Sequence, residues 1–190
     1  MNKILKTLMD TGAILEGHFL LTSGRHSNKY VEKFRLIEQP KSLDFVCSSM
    51  ADLYRDKKIN VVLGAAVGGI LISGGVGQKL NVKHIFTERV NGVMELRRGF
   101  SLDENSKVLI VEDIVTTGGS IFELIEIVKN CNAELIGITS ILDRNQEPVD
   151  FGFSYRPLVQ YPVDSWDTDK CPQCLDKIEI TSRGRSGKKK

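Results

Sequence analysis

The stretch VLIVEDIVTTGGS, running from Val108 to Ser120, decides how this chain folds. Val108, Leu109, Ile110 and Val111 form a short apolar run of the kind that makes a buried strand. Glu112 and Asp113 then emerge together at its carboxyl end. Beyond Ile114 and Val115, the residues Thr116, Thr117, Gly118, Gly119 and Ser120 lead into a helix beginning near Ile121. Ile121, Leu124, Ile125 and Val128 stand at i, i+3, i+4 and i+7, which places them on one face of that helix.

The same alternation recurs on both sides. Val61-Val62-Leu63 is an apolar run ending at Gly64, and a helical stretch follows from about Ile70 to Leu80. Val82 to Thr87 reads as a strand, and so does Leu135 to Leu142. Short apolar strands alternating with amphipathic helices predict an α/β fold, a parallel sheet with helices on both faces. Between the second and third strands, Asn91-Gly92 sits amid alternating side chains in HIFTERVNGVMELRRGF. Asn-Gly is the favoured type I′ pair, so this segment is a hairpin. Earlier, Ile4, Leu5, Leu8 and Met9 predict a short helix before Gly12, and Phe19 to Leu36 is strand-like around a Ser23-Gly24-Arg25 turn. Pro40 opens a helix whose face carries Leu43, Val46, Met50, Leu53 and Tyr54.

Composition narrows the class of protein. The 190 residues (21.2 kDa) are 41% hydrophobic and 26% charged, a globular balance that excludes collagen-like, disordered and disulfide-scaffold chains. Arg183, Arg185, Lys188, Lys189 and Lys190 form a basic tail with no acid among the last ten residues. Without those five of the 26 basic residues, the body holds 21 against 24 acidic ones, a charge of −3. Such a body is not a nucleic-acid surface, so no nucleic-acid partner is expected. No apolar run approaches a membrane span, no secretory run is present, and four cysteines imply reduced thiols; the expected location is cytoplasmic.

The chemistry sits at the end of the deciding strand. Open α/β sheets bind ligands beyond the carboxyl ends of their strands. Glycines let several N–H groups converge there, hydroxyls add donors, and the helix N-terminus favours an anion, which together make a phosphate cradle. The two carboxylates repel phosphate but accept hydrogen bonds from sugar hydroxyls or hold Mg2+ through water. An acid pair beside a phosphate nest describes a ribose 5-phosphate site. The plainer alternative is a solvated acid pair ahead of a helix cap, yet a cap uses one or two such residues rather than five. The segment is neither a Walker A loop nor a dinucleotide fingerprint.

On these residues the chain resembles the type I phosphoribosyltransferases, and the wording ED-x-x-TTGGS is closest to the orotate branch of that family. GAILEGHFLLTSGRHSNKYVEKF, Gly12 to Phe34, resembles the family's N-terminal substrate hood, and Gly64-Ala65-Ala66-Val67-Gly68-Gly69 resembles its pyrophosphate loop. ERVNGVMELRRGF resembles the mobile loop, and Leu142-Asp143-Arg144 the arginine-bearing end of a later strand. The resemblance implies transfer of the 5-phosphoribosyl group from phosphoribosyl diphosphate (PRPP) to orotate. Orotidine 5′-monophosphate and pyrophosphate would form, with Mg2+ as cofactor, in a homodimeric enzyme of pyrimidine synthesis.

It further implies that Glu112, Asp113, Ile114, Val115, Thr116, Thr117, Gly118, Gly119 and Ser120 bind PRPP, with Mg2+ near the acid pair through PRPP and water. Val67, Gly68 and Gly69 form the pyrophosphate loop, Thr116 and Arg144 contact orotate, and Asp113 and Arg89 are the catalytic residues. Arg97 and Arg98 accompany Arg89 on the hairpin, which can also be read as an ordinary solvated face. Arg144 either grips a substrate carboxylate or pairs with neighbouring Asp143.

The chain departs from the family in the loop Val90 to Leu96, which has neither lysine nor histidine, at Thr22, and at Tyr30-Val31. Two other readings share the fold: a purine-base transferase, for which Arg144 would be superfluous, and a PRPP-sensing regulator, which the negative body disfavours. The implied division is a hood over residues 1–38, a core over 39–165, and an extension over 166–190 with a disordered basic tail. Within that extension Trp166, with Tyr161 and Pro162, is expected to pack an irregular segment against the body. Cys171-Pro172-Gln173-Cys174 has the spacing of half a zinc site. With no second Cys pair it is read as two plain thiols, zinc shared across a dimer being the alternative, and His18, His26 and His84 are given no role.

Overall fold

The computed structural model describes residues 2–183. Six strands make the main sheet: β3 (Val61–Ala65), β4 (Lys83–Val90), β5 (Val93–Leu96), β6 (Lys107–Val115), β7 (Glu134–Asp143) and β8 (Tyr155–Gln160). Their order is β5-β4-β3-β6-β7-β8. Only β4 and β5 run antiparallel. They form the expected hairpin, with Val90 opposite Val93 and both turn residues at positive φ (Asn91 +50°, Gly92 +89°), as a type I′ turn demands.

Side-chain alternation along the central strands splits the core in two. Val62, Leu109 and Val111 point to one face, where they meet α3 (Pro40–Asp52) and α4 (Gly68–Leu80). Val61, Leu63, Val108 and Ile110 point to the other, against α5 (Gly119–Asn130). All four residues of the predicted α5 stripe, Ile121, Leu124, Ile125 and Val128, are buried. Helices therefore cover both faces, as a parallel sheet requires.

The residues expected to form the hood contribute to a second, three-stranded sheet. The helix α1 (Lys3–Asp10) buries Ile4 and Leu8 but leaves Met9 exposed. The strands β1 (Ile14–Leu20) and β2 (His26–Val31) form an antiparallel hairpin around the Ser23-Gly24-Arg25 turn. The strand-like reading from Phe19 to Leu36 ends too late: Phe34–Ile37 is a helical turn, α2, that buries Leu36 and Ile37. Spacing cannot separate a four-residue helix from a strand end.

The C-terminal region departs most from expectation. It contains a 3-10 turn (Thr168–Lys170), a short helix α6 (Pro172–Leu175) and β9 (Thr181–Ser182), which adds a parallel strand to β1. Trp166 pairs backbone to backbone with His26, so the segment docks on the hood. A disordered tail is expected after Thr181, yet Ser182 belongs to the strand. The rest of the predicted tail, from residue 184, lies outside the described residues. Among the described residues no helix is long and apolar enough to cross a membrane.

Candidate active site

Three parallel strands deliver the candidate residues to one edge of the sheet. β3 ends at Ala65 and passes through Ala66-Val67 into α4 at Gly68; β6 carries Glu112 to Val115; β7 ends at Asp143 with Arg144 beyond it. The β6 strand is longer than its apolar run suggests, because pairing with β7 continues to Val115 opposite Asp143. Glu112 and Asp113 consequently lie inside the strand and face opposite sides of it. They are buried rather than emerging into solvent, with 8% and 3% of their surfaces exposed.

Each carboxylate is held by its surroundings. Glu112 accepts a hydrogen bond from the Asp113 N–H at 2.9 Å, and Asp113 accepts one from the Ile114 N–H at 2.6 Å. Burial, and next the Asp113 charge, push the Glu112 carboxyl well above the usual range. Asp113 has a cation against it: Lys33 Nζ, from the segment after β2, lies 2.5 Å from Oδ2. The pyrophosphate-loop candidate comes equally close. A Cβ on Gly68 would collide with the Asp113 carboxylate, so only glycine lets this backbone pass. Sequence reasoning misses Lys33 because some 80 residues separate it from Asp113, and nothing in local spacing joins them.

Thr116, Thr117 and Gly119 are exposed at the start of α5, whose first residues follow Gly118 at φ +76°. A Cβ on Gly118 would sit 2.7 Å from the Phe151 ring, so the bend requires glycine on two counts. The bend lines a cleft of about 260 Å³ together with Glu112 and Arg89. A second cleft of about 160 Å³ holds Lys33, Val67, Gly68 and Asp113, and shares Glu112, Ile114 and Ser120 with the first. The acid pair is thus the wall between a hydroxyl-and-glycine cradle and a glycine loop topped by an ammonium group.

The hairpin arginines are each matched to a glutamate. Arg89 forms a two-pronged pair with Glu123 of α5 (2.6 and 3.2 Å), and Arg98 does so with Glu88 (2.9 and 3.0 Å). Arg97 lies 3.7 Å from Glu95. Arg89 reaches the cleft wall, whereas Arg97 and Arg98 do not line it.

Arg144 is half-buried and makes no ion pair among the described residues. Asp143, its alternative partner, instead accepts from the Asn145 N–H and side-chain amide at 2.9 and 2.7 Å. Burial lowers the Arg144 pKa, and its Nε has no hydrogen-bond partner. Tyr30 stands nearby, its pKa raised by burial and then by Glu32, while the charges of Lys33, Arg144 and Arg183 pull it down. A side chain with an orphaned donor beside a ring and two further cations fits a planar anion.

A parallel sheet whose central strand carries a buried acid pair near its carboxyl end, followed by a hydroxyl-glycine bend at a helix start, defines a phosphoribosyltransferase. The chain belongs to that family: the phosphoribosyl transferase domain matches residues 35–153. Over nearly its whole length it is similar to the orotate phosphoribosyltransferase of Caldicellulosiruptor bescii, 41% identical across 97% of this chain and 98% of that one. The orotate phosphoribosyltransferase of Thermotoga maritima is also 41% identical, across 98% of this chain and all of the relative. The crystal structure of orotate phosphoribosyltransferase from Aeropyrum pernix matches with a TM-score of 0.70 at 22% identity, covering 83% of this chain and 93% of that one. At that identity the likeness concerns the fold.

Proposed function

We propose that this chain transfers the 5-phosphoribosyl group of PRPP to orotate, giving orotidine 5′-monophosphate and pyrophosphate. The observation that carries the reading is the buried Glu112–Asp113 pair standing between the two clefts. The Thr116–Ser120 bend would take the 5-phosphate on N–H and hydroxyl donors, and the Asp113 carboxylate and the Glu112 carboxyl group would accept hydrogen bonds from the ribose hydroxyls. Val67, Gly68 and Gly69 would hold pyrophosphate, with the Lys33 ammonium above them.

Departure of pyrophosphate leaves positive charge at the anomeric carbon and adds negative charge to the leaving group. Groups fixed in advance to match those charges lower the barrier. Asp113 faces the first and Lys33 the second, while Arg89 can leave Glu123 to add a cation at the cleft rim. Thr116 and Arg144 would orient orotate, Arg144 through its carboxylate.

The donor set fits Mg2+ only in part, since Asp113 is already paired to Lys33. Glu112 and Asp113 would therefore hold the ion through substrate oxygens and water. Bound there, Mg2+ neutralises pyrophosphate charge. A homodimer and a cytoplasmic location complete the proposal, with a hood over residues 1–38, a core over 39–165 and an extension over 166–190 that returns to the hood.

The test is to mix purified protein, PRPP and Mg2+ with orotate, or with adenine, hypoxanthine or guanine, and follow pyrophosphate release. Release with orotate alone is expected. Release with a purine and none with orotate would overturn the substrate assignment, and release with no base would overturn transfer to a base, since PRPP would then be hydrolysed.

A further inference from the structure

Away from the active site, four potential metal ligands converge where the C-terminal segment meets the hood. His18 comes from β1 and His26 from the start of β2, while Cys171 immediately precedes α6 and Cys174 lies within it. His18, His26 and Cys171 are buried, and one donor atom from each of the four lies within 4.8 Å of every other. His18 Nε2 is 2.9 Å from His26 Nδ1 and 3.5 Å from Cys171 Sγ. Cys174 Sγ is 3.2 Å from His26 Nδ1 and 3.7 Å from His18 Nε2. A tetrahedral zinc site with ordinary Zn–N and Zn–S bonds has donor–donor edges of roughly 3.3 to 3.8 Å.

We propose that His18, His26, Cys171 and Cys174 bind one Zn2+ as a closed structural site that fastens the C-terminal segment to the hood. The cysteines are free thiols rather than a disulfide. Two thiolates and two neutral imidazoles give a complex with no net charge, which suits a buried position. Four protein donors leave no open coordination place, so the ion holds structure rather than substrate.

The outer contacts point the same way. His18 Nδ1 is 2.8 Å from the Ile178 carbonyl, an acceptor only, so the ring carries its proton there and turns the Nε2 lone pair toward the cluster. His26 Nε2 faces Thr168 Oγ1 at 3.5 Å, leaving Nδ1 directed inward. Without a metal, His26 would have to donate a proton to His18, and two thiols would crowd that bond with no function.

The CPQC spacing supplies half of this site. The other half lies about 150 residues away, on a hairpin whose own spacing carries no metal pattern.

The ion should also steady the strand beyond it, because β9 leaves the cluster to pair with β1. The experiment uses full-length protein purified without a histidine tag. Elemental analysis should find about one zinc per chain. Zinc should fall to background in Cys171→Ser and His26→Ala, and persist in His84→Ala. Co2+ exchanged into the wild type should show thiolate charge-transfer bands and intense tetrahedral d–d bands. Cys174→His should retain Co2+ with weaker charge transfer, which a merely packing cysteine would not predict. Chelation should lower Tm and zinc should restore it.

Metal-free protein from zinc-supplemented culture that takes up neither Zn2+ nor Co2+ would overturn the proposal. A Cys171–Cys174 disulfide in the native protein would do so equally.

Discussion

Lys33 and Asp113 join the hood to the central strand: the ammonium of one lies 2.5 Å from the carboxylate of the other, directly over Gly68. The pair is unequally buried, with 34% of the Lys33 side chain exposed against 5% for Asp113. Losing a partner costs about 3–5 kcal/mol in a fully buried pair, so Lys33→Met should destabilise by less, about 1–2 kcal/mol. The catalytic effect should be larger, because Lys33 is also the cation poised over the glycine loop. We expect kcat/KM for PRPP to fall at least ~30-fold, about 2 kcal/mol at the transition state. Steady-state kinetics with PRPP varied, beside a thermal melt, would reveal whether the lysine is merely structural.

Glu112 provides the pH test. Its carboxyl titrates above the ordinary range because burial, reinforced by Asp113, disfavours the ion. From the ordinary Glu value upward, the folded state therefore holds a proton that the unfolded chain releases, and stability falls as pH rises toward the elevated native pKa. Glu112→Gln cannot ionise, so its urea midpoint should decline less over that interval than the wild type's. Parallel curves for the two proteins would mean that Glu112 titrates normally.

Arg144 is the base-selecting residue of our reading. Arg144→Ala should raise the KM for orotate ~100-fold while changing that for PRPP less than ~3-fold, the loss of a charge-assisted pair being worth about 1.5–3 kcal/mol. Arg144→Lys should recover little, because one ammonium cannot reproduce two parallel hydrogen bonds. Equal increases for both substrates would show that Arg144 supports the site as a whole.

How much of the molecule is legible in the sequence depends on where each signal lies. The β6–α5 stretch carries its whole message locally: apolar run, acids, glycines and an amphipathic face within 21 residues. The two cores are implied by alternation along β3 and β6. Lys33 over Asp113, Arg89 on Glu123, and His18 with Cys171 are long-range pairs, and no periodicity encodes them. The burial of Glu112 escapes for a related reason. Composition ends a strand where its apolar residues end, but backbone pairing with β7 carries β6 on to Val115.

Gly118 tests the cradle. Its φ of +76° and the Phe151 ring 2.7 Å from a would-be Cβ make Gly118→Ala both strained and overpacked. Together these should cost about 2–3 kcal/mol, read as a lowered urea midpoint. Phe151 packs on Phe122 and Tyr155 with ring centroids 5.0 and 5.1 Å away, so it cannot swing aside freely. Adding Phe151→Leu should return part of the stability lost in Gly118→Ala. Strict additivity of the two substitutions would place the problem in the backbone alone.

Arg183 is the one residue of the basic tail that the structure describes. Its Nε is buried with no partner among the described residues, and its charge acts on Tyr30 alongside that of Arg144. An orphaned cationic donor in that position is costly unless an anion completes it. Removing residues 184–190 should therefore leave kcat/KM for both substrates unchanged, while Arg183→Ala in the full-length chain should raise the KM for orotate several-fold. Because Arg183 directly succeeds β9, the size of its effect should also depend on how firmly that strand is held to β1. If truncation and Arg183→Ala are equally silent, the orphaned guanidinium has no part in binding the base, and Arg144 carries the carboxylate alone.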